Sequence, residues 1–229
     1  MQVMLSAGFI ILTVGIYLLC RYLYFRYNHP LINIVLLSAA VIIAILVVGK
    51  QDYAAYTPAK DVMVFLLGPA TVALAVPLYR NRHLLKQYGI AIFTGVGLGT
   101  LVSMASVLFI TQIGGLSREI IVSIIPKSST VPFAVEVAAL AGGNPALAVA
   151  FVVATGTFGS VIGLSLLSRF KIHNPVARGL AMGTVSHGQG TAMALLEGEQ
   201  QGAMGGVAMG LAGIFTSVLA PVLIALFVG

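Results

Sequence analysis

Uncharged apolar runs of about 20 residues recur along the chain, each long enough to cross the hydrocarbon core of a bilayer as a helix. They lie at 3–20, 31–49, 62–79, 87–112, 145–168, 179–196 and 202–228. Only 8% of the residues are charged, against roughly a quarter in a soluble domain. Loops between the runs are short, so the expectation is an all-α polytopic membrane protein, a single domain over 1–229 with no soluble part. Residues 1–20 carry no leading basic cluster and no small-residue cleavage site, and read as a first span rather than a signal peptide. The net charge of +6 is spread over short loops without a basic stripe, which argues against nucleic acid. One cysteine, Cys20, excludes an internal disulfide, and His29, His83, His173 and His187 are too scattered for a metal cluster. No metal or other cofactor is expected. No serine–histidine–acid constellation has supporting context, so an enzyme is not expected either.

The segment 118–142 does not fit the pattern of plain spans. At its centre stands Pro126-Lys127-Ser128-Ser129-Thr130-Val131-Pro132. Proline lacks an amide donor and clashes with the preceding turn, so the two prolines end a helix on either side of the lysine. A lone lysine at bilayer depth costs on the order of 2.5–3.5 kcal/mol and needs an aqueous cavity, a partner or a ligand. Irregular backbone is tolerated at that depth only where protein or a cavity surrounds it. The stretch therefore reads as a site for a small anion.

Loop charge supplies an orientation. Arg21 and Arg26, then Arg80, Arg82 and Lys86, then Arg169, Lys171 and Arg178 follow the first, third and fifth runs. The positive-inside rule places these groups in the cytoplasm, the N-terminus outside and, with every run a crossing, the C-terminus inside. An even number of crossings must separate Lys86 from Arg169, and the runs at 87–112 and 145–168 already supply two. The segment 118–142 is then a re-entrant hairpin with Lys127 at its tip: about seven spans and one hairpin in all. The trio 31–112 and the trio 145–228 have opposite directions, and the middle member of each carries helix breakers: Gly68-Pro69 and Pro77 in one, Ser186-His187-Gly188-Gln189-Gly190 in the other. Inverted repeats with interrupted helices point to a transporter's binding site, and half-helix N-termini there favour an anion.

Three stretches resemble the signatures of the LrgB/CidB family. They are Leu67-Gly68-Pro69-Ala70-Thr71 with Pro77; Pro126-Lys127-Ser128 with Thr130, Pro132, Glu136 and Gly142-Gly143-Asn144-Pro145; and Ala177-Arg178-Gly179 through Thr184, followed by Ser186-His187, Gly190-Thr191 and Glu197. The resemblance covers nearly the whole chain. It departs from the family pattern at Ser129, Val131, Gly188 and Gln189, which alters hydroxyl placement near the site. The resemblance implies a bacterial inner-membrane protein of holin-like or antiholin-like character, modulating murein hydrolases and autolysis. It also implies transport, since relatives are linked to pyruvate uptake and a plastidal relative carries glycolate and glycerate. A smaller membrane partner of the LrgA/CidA type is implied as well; a homodimer is expected by analogy with transporters of this size.

The expected substrate contacts are Lys127, Ser128, Thr130, Gly68, Pro69, Thr71, Thr184, Ser186, His187, Gly190 and Thr191. His187 is suited to carry a coupling proton, or else is a neutral ring bonded to a neighbouring hydroxyl. Glu136 offers the alternative for Lys127, a structural ion pair that needs no ligand. Ser128 and Thr130 can serve as helix caps, and Asn33 reads as a cap more than a contact. Glycines spaced at Gly95/Gly99, Gly159/Gly163 and Gly206/Gly210 are expected to permit close helix packing. The function expected is secondary transport of small monocarboxylates such as pyruvate or 2-hydroxy acids, with a holin-like protein as the alternative.

Overall fold

Continuous apolar sequence gives continuous helix. The computed structural model describes residues 2–27, 34–73 and 75–228, and every regular element among them is helical. His29 and Asn33 lie outside the described residues. Four helices contain segments long and apolar enough to cross a membrane: Ala7–Tyr27, Arg82–Ile113, Pro145–Arg169 and Glu199–Phe227. The chain packs as two units, 1–74 and 75–229.

The first unit holds α1 (Gln2–Tyr27), α2 (Ile34–Val48) and α3 (Tyr53–Ala73). Thr13 Oγ1 and Tyr56 OH lie 2.9 Å apart, and the Phe9 and Tyr56 rings meet edge to face, which ties α1 to α3. The turn between α2 and α3 closes through Gly49 N–H to Ile45 O, with Lys50 at φ 48. Gly68-Pro69 was expected to interrupt this region, but α3 runs through Pro58 and Pro69 and stays helical to Ala73. A proline removes one amide donor from a helix, and in a membrane-type bundle that loss is tolerated without unwinding.

The second unit comprises α4 (Ala75–Arg80), α5 (Arg82–Ile113), α6 (Arg118–Ile124), α7 (Val131–Leu140), α8 (Pro145–Arg169), α9 (Pro175–Glu197) and α10 (Glu199–Phe227). Helices α5 and α10 run parallel. At their near end Leu84 packs with Val176 and Ala203, and Arg80 approaches Glu199 at 3.8 Å. At their far end the Gln112 amide donates to Phe227 O at 2.8 Å. Between these ends the core comprises a cluster around Val96, Met204 and Ala208 and another around Met104, Val122 and Ala220.

Helices α6 and α7 form a hairpin that starts and finishes at the far end. Arg118 Nη1 donates to Ala141 O, and Asn144 Nδ2 to Glu119 Oε1 at 3.1 Å. Each arm is about 10–15 Å long, half or less of a bilayer core. Asn144 then caps α8, its side chain accepting from the Ala146 and Leu147 amides, while its own N–H bonds to Ser123 Oγ at 2.7 Å. Helix α8 travels back to the near end.

The segment expected to be a span at 179–196 is instead a second hairpin. Ser186 (φ −118, ψ 15) and His187 (φ 41, ψ −128) leave helical geometry and split α9 in two. Arg178 near its start and Glu197 at its end are bonded to each other, Nε to Oε2 at 2.8 Å. Nineteen residues of straight helix would separate them by about 28 Å. The two arms lie side by side because glycine permits it: a Cβ on Gly190 would sit 2.1 Å from Met182 O. The same applies against α10, where a Cβ on Gly183 would lie 2.1 Å from Gly205 O and one on Gly179 2.3 Å from Gln201 O. Phe227 lies at the far end, opposite Arg80 and Arg169. In the second unit the opposed interrupted elements are α6–α7 and α9, each a hairpin from one end.

Site-directed labelling tests the fold of α9. In a Cys20→Ala background, His173→Cys and Gln200→Cys should react with a membrane-impermeant maleimide from one side of the membrane, and Ser117→Cys from the other. Labelling of positions 173 and 200 from opposite sides would mean that α9 crosses.

Candidate functional site

Both hairpins deliver their tips to the middle of α5. The α6–α7 tip meets it at Ser103: Ser103 Oγ and Ser128 Oγ are 2.9 Å apart, and Lys127 Nζ donates to each at 3.0 Å. The α9 tip meets it one turn earlier, where the Thr184 methyl leaves only 3.2 Å for a Cβ on Gly99. Four residues of helix rise about 6 Å, so the two tips abut on adjoining turns.

Lys127 is placed by its turn. The amides of Lys127 and Ser129 bond to Ile124 O and Pro126 O, which closes the chain tightly between α6 and α7. Ser128 and Ser129 are buried. Thr130 is the N-cap of α7, in extended conformation, but its side chain makes no capping bond. Among the described residues no carboxylate lies within 4.0 Å of the Lys127 ammonium. Glu136 is not brought to it. It sits further along α7 on an exposed face, in a groove of about 750 Å³ that also involves Arg118, Phe133 and Pro221. The lysine therefore stands among hydroxyls, without a counter-charge.

The α9 tip is built by strain and by missing side chains. His187 occupies a backbone region that disfavours a Cβ, at a cost of about 1–3 kcal/mol. Three features hold it there. Its Nε2 is 3.0 Å from Val152 O, its carbonyl accepts from Thr191 Oγ1 at 2.8 Å, and α8 is bare beneath it. A Cβ on Gly156 would stand 2.4 Å from the His187 ring, and one on Gly159 1.8 Å from Ser186 Oγ. Thr184 Oγ1 bonds back to Leu180 O, so its hydroxyl is already engaged. At the base of this hairpin the buried Arg178 guanidinium binds Glu197 with two nitrogens and also reaches Ser168 Oγ, Ile172 O and Leu164 O.

The structure thus gathers Lys127, Ser128, Thr184, Ser186, His187, Gly190 and Thr191 about the two tips, with Thr130 beside them. Gly68, Pro69 and Thr71 belong to α3, in the first unit. Sequence reasoning missed Ser103 and Thr100. Their signal was a pair of hydroxyls three residues apart in the middle of an apolar run. It also missed the role of Gly156. Of the expected glycine pairs, Gly159 and Gly163 are close-packed, whereas Gly95 and Gly210 face open space.

The model of the LrgB-like family matches residues 13–226. The chain is 36% identical to a holin-like protein CidB of Staphylococcus epidermidis, over 95% of each chain. It is 35% identical to YxaC of Bacillus subtilis, over 99% of this chain and 98% of that one. Identity to a holin-like protein CidB of Staphylococcus aureus is 34%, over 95% of each. No solved structure matches significantly.

The clasp at the base of α9 has a measurable weight. Arg178→Ala leaves Glu197 without its partner and strips three further acceptors, and should destabilise the protein by about 2–3 kcal/mol, at or below the low end for a buried pair because Glu197 is at the mouth. Thermal melting of the protein in detergent reads this. Arg178→Lys should recover only part of the loss, since an ammonium cannot reproduce the fork.

Proposed function

The chain belongs to the LrgB-like family, and from the arrangement of its second unit we propose that it is a multi-pass secondary carrier of small monocarboxylates, such as pyruvate or 2-hydroxy acids. The observation that carries this reading is Lys127, a cation with no carboxylate beside it among the described residues, at the tip of a hairpin too short to cross a bilayer. Such a charge inside a membrane is stabilised by a ligand that brings the opposite sign. The α9 hairpin approaches from the other end, so an anion at the tips is separated from each side by one hairpin. Movement of one hairpin at a time gives alternating access. His187, at the opposing tip, is the proposed proton-coupling group.

With α9 folded back, the positive-inside rule puts Arg80, Arg82, Lys86, Arg169 and Lys171 in the cytoplasm and the end of α10 outside. The α6–α7 hairpin is then re-entrant from the outer face and α9 from the inner face.

The names of the staphylococcal relatives favour a second reading, a holin-like protein, which here would modulate murein hydrolase activity and autolysis. That reading rests on the family, and the carrier reading on the geometry. A lesion made by packed apolar helices has no use for two hairpins and a half-buried lysine.

Uptake of labelled pyruvate into proteoliposomes separates them. The carrier predicts saturable uptake, stimulated by an inward proton gradient and reduced about 10–100-fold in a folded Lys127→Met variant, the worth of a lost hydrogen bond to a charge. Leakage of an inert dye without saturable uptake would establish the holin-like reading.

A further inference from the structure

Three buried side-chain oxygens among the described residues have no hydrogen-bond partner: Thr100 Oγ1, Ser129 Oγ and Gln189 Oε1. Buried polar groups are almost always paired, and an exception calls for a specific explanation. These three do not scatter. Thr100 is on α5 between Gly99, which meets the α9 tip, and Ser103, which meets the α6–α7 tip. Ser129 is next to Lys127 and Ser128 in the α6–α7 turn. Gln189 is two residues beyond His187, its amide carbon against α8 at Gly156. Helix α5 and the α6–α7 turn each contribute an unsatisfied hydroxyl that can donate, whereas the α9 oxygen, an amide carbonyl, can only accept and stands outside that donor set.

Thr100 and Ser129 are 2% and 1% exposed, so solvent at the protein surface does not serve them. A second count points the same way. Ser103 and Ser128 each accept a bond from Lys127, and a single bond joins their two hydroxyls. Two hydroxyl protons are available for that one bond, so one of them is directed elsewhere. Together with the Thr100 and Ser129 hydroxyls, the junction presents up to three O–H donors beside one ammonium. Oxygen donors around a single positive charge are the complement of a small oxyanion of one negative charge.

We propose that Thr100, Ser103 and Ser129 are binding residues for a small monovalent oxyanion held by Lys127, their hydroxyls donating to its oxygens where the two hairpin tips meet on α5. The inference rests on the carrier reading and extends its site to residues that reading does not use. It has a consequence that a merely structural role lacks. An unpaired buried hydroxyl burdens the ligand-free protein, so removing it should stabilise that state while weakening the bound one.

The test is thermal melting of the full-length protein in nanodiscs, without and with pyruvate as the probe. Thr100→Val and Ser129→Ala should each raise the ligand-free melting temperature by about 2–4 °C and lower pyruvate affinity about 3–10-fold, the worth of one neutral hydrogen bond. Ser103→Ala should lower affinity as well. A fall in the ligand-free melting temperature with an unchanged pyruvate response would overturn the inference, because the hydroxyls would then be structural. If Lys127→Met abolishes the response but Thr100→Val and Ser129→Ala retain it in full, this inference fails and the carrier reading stands. If wild-type protein shows no pyruvate response, or Lys127→Met keeps it, both fail together.

Discussion

The fold of the second unit depends on a backbone reversal at Ser186-His187. Without it α9 would be a straight helix, Arg178 and Glu197 would lie at opposite ends, and α10 would begin on the other side. The reversal is unfavourable in isolation, since a histidine with positive φ at ψ −128 stores strain. It persists because its surroundings over-determine it. Bare glycines on α8 make room for Ser186 and His187, glycines within α9 and α10 allow backbone to touch backbone, and a five-bonded arginine closes the mouth. Small residues are the means by which helices associate in a membrane, where lipid is as apolar as leucine. Here they are concentrated on one task, the folding of a single segment back on itself.

Two hairpins of different construction result. The α9 hairpin is sealed by glycine contacts along its length and against α10. The α6–α7 hairpin packs into the core through Ile121, Val122, Ile125 and Val137, and its polar bonds lie at its base, with Arg118, Glu119, Ser123 and Asn144, and at its tip, in the Lys127 hydroxyl cluster. A ligand that replaces or recruits those tip contacts acts on the α6–α7 hairpin more directly than on the α9 hairpin. This asymmetry gives Lys127 a mechanical place as well as an electrostatic one.

Much of this was legible in the sequence, and the failures are instructive. The apolar runs at 87–112, 145–168 and 202–228 became α5, α8 and α10 because continuous hydrophobicity leaves no competing structure. Pro126 and Pro132 marked a turn, and Ser186-His187-Gly188 a break, because their backbone chemistry is local. What the break does was not legible. A run at 179–196 has the length of one span, and that length is also two half-length arms; the deciding contact, Arg178 with Glu197, joins residues nineteen apart. Gly68-Pro69 misled for the converse reason: a proline guarantees a missing donor, not an unwound helix. Thr100 and Ser103 were overlooked because a hydroxyl in an apolar run says nothing about what faces it.

The return of α9 to its starting end bears on how the chain is made. A translocon that opens sideways to lipid accepts a segment according to its own apolarity, one at a time. The arms of α9 are each too short to stay in lipid alone, and the backbone at Ser186-His187 is bare until α8 and α10 close over it. Much of the close packing of α9 is made with α10, at Gly179 against Gln201 and at Gly183 against Gly205, so the fold of this segment is completed only by the helix that follows it.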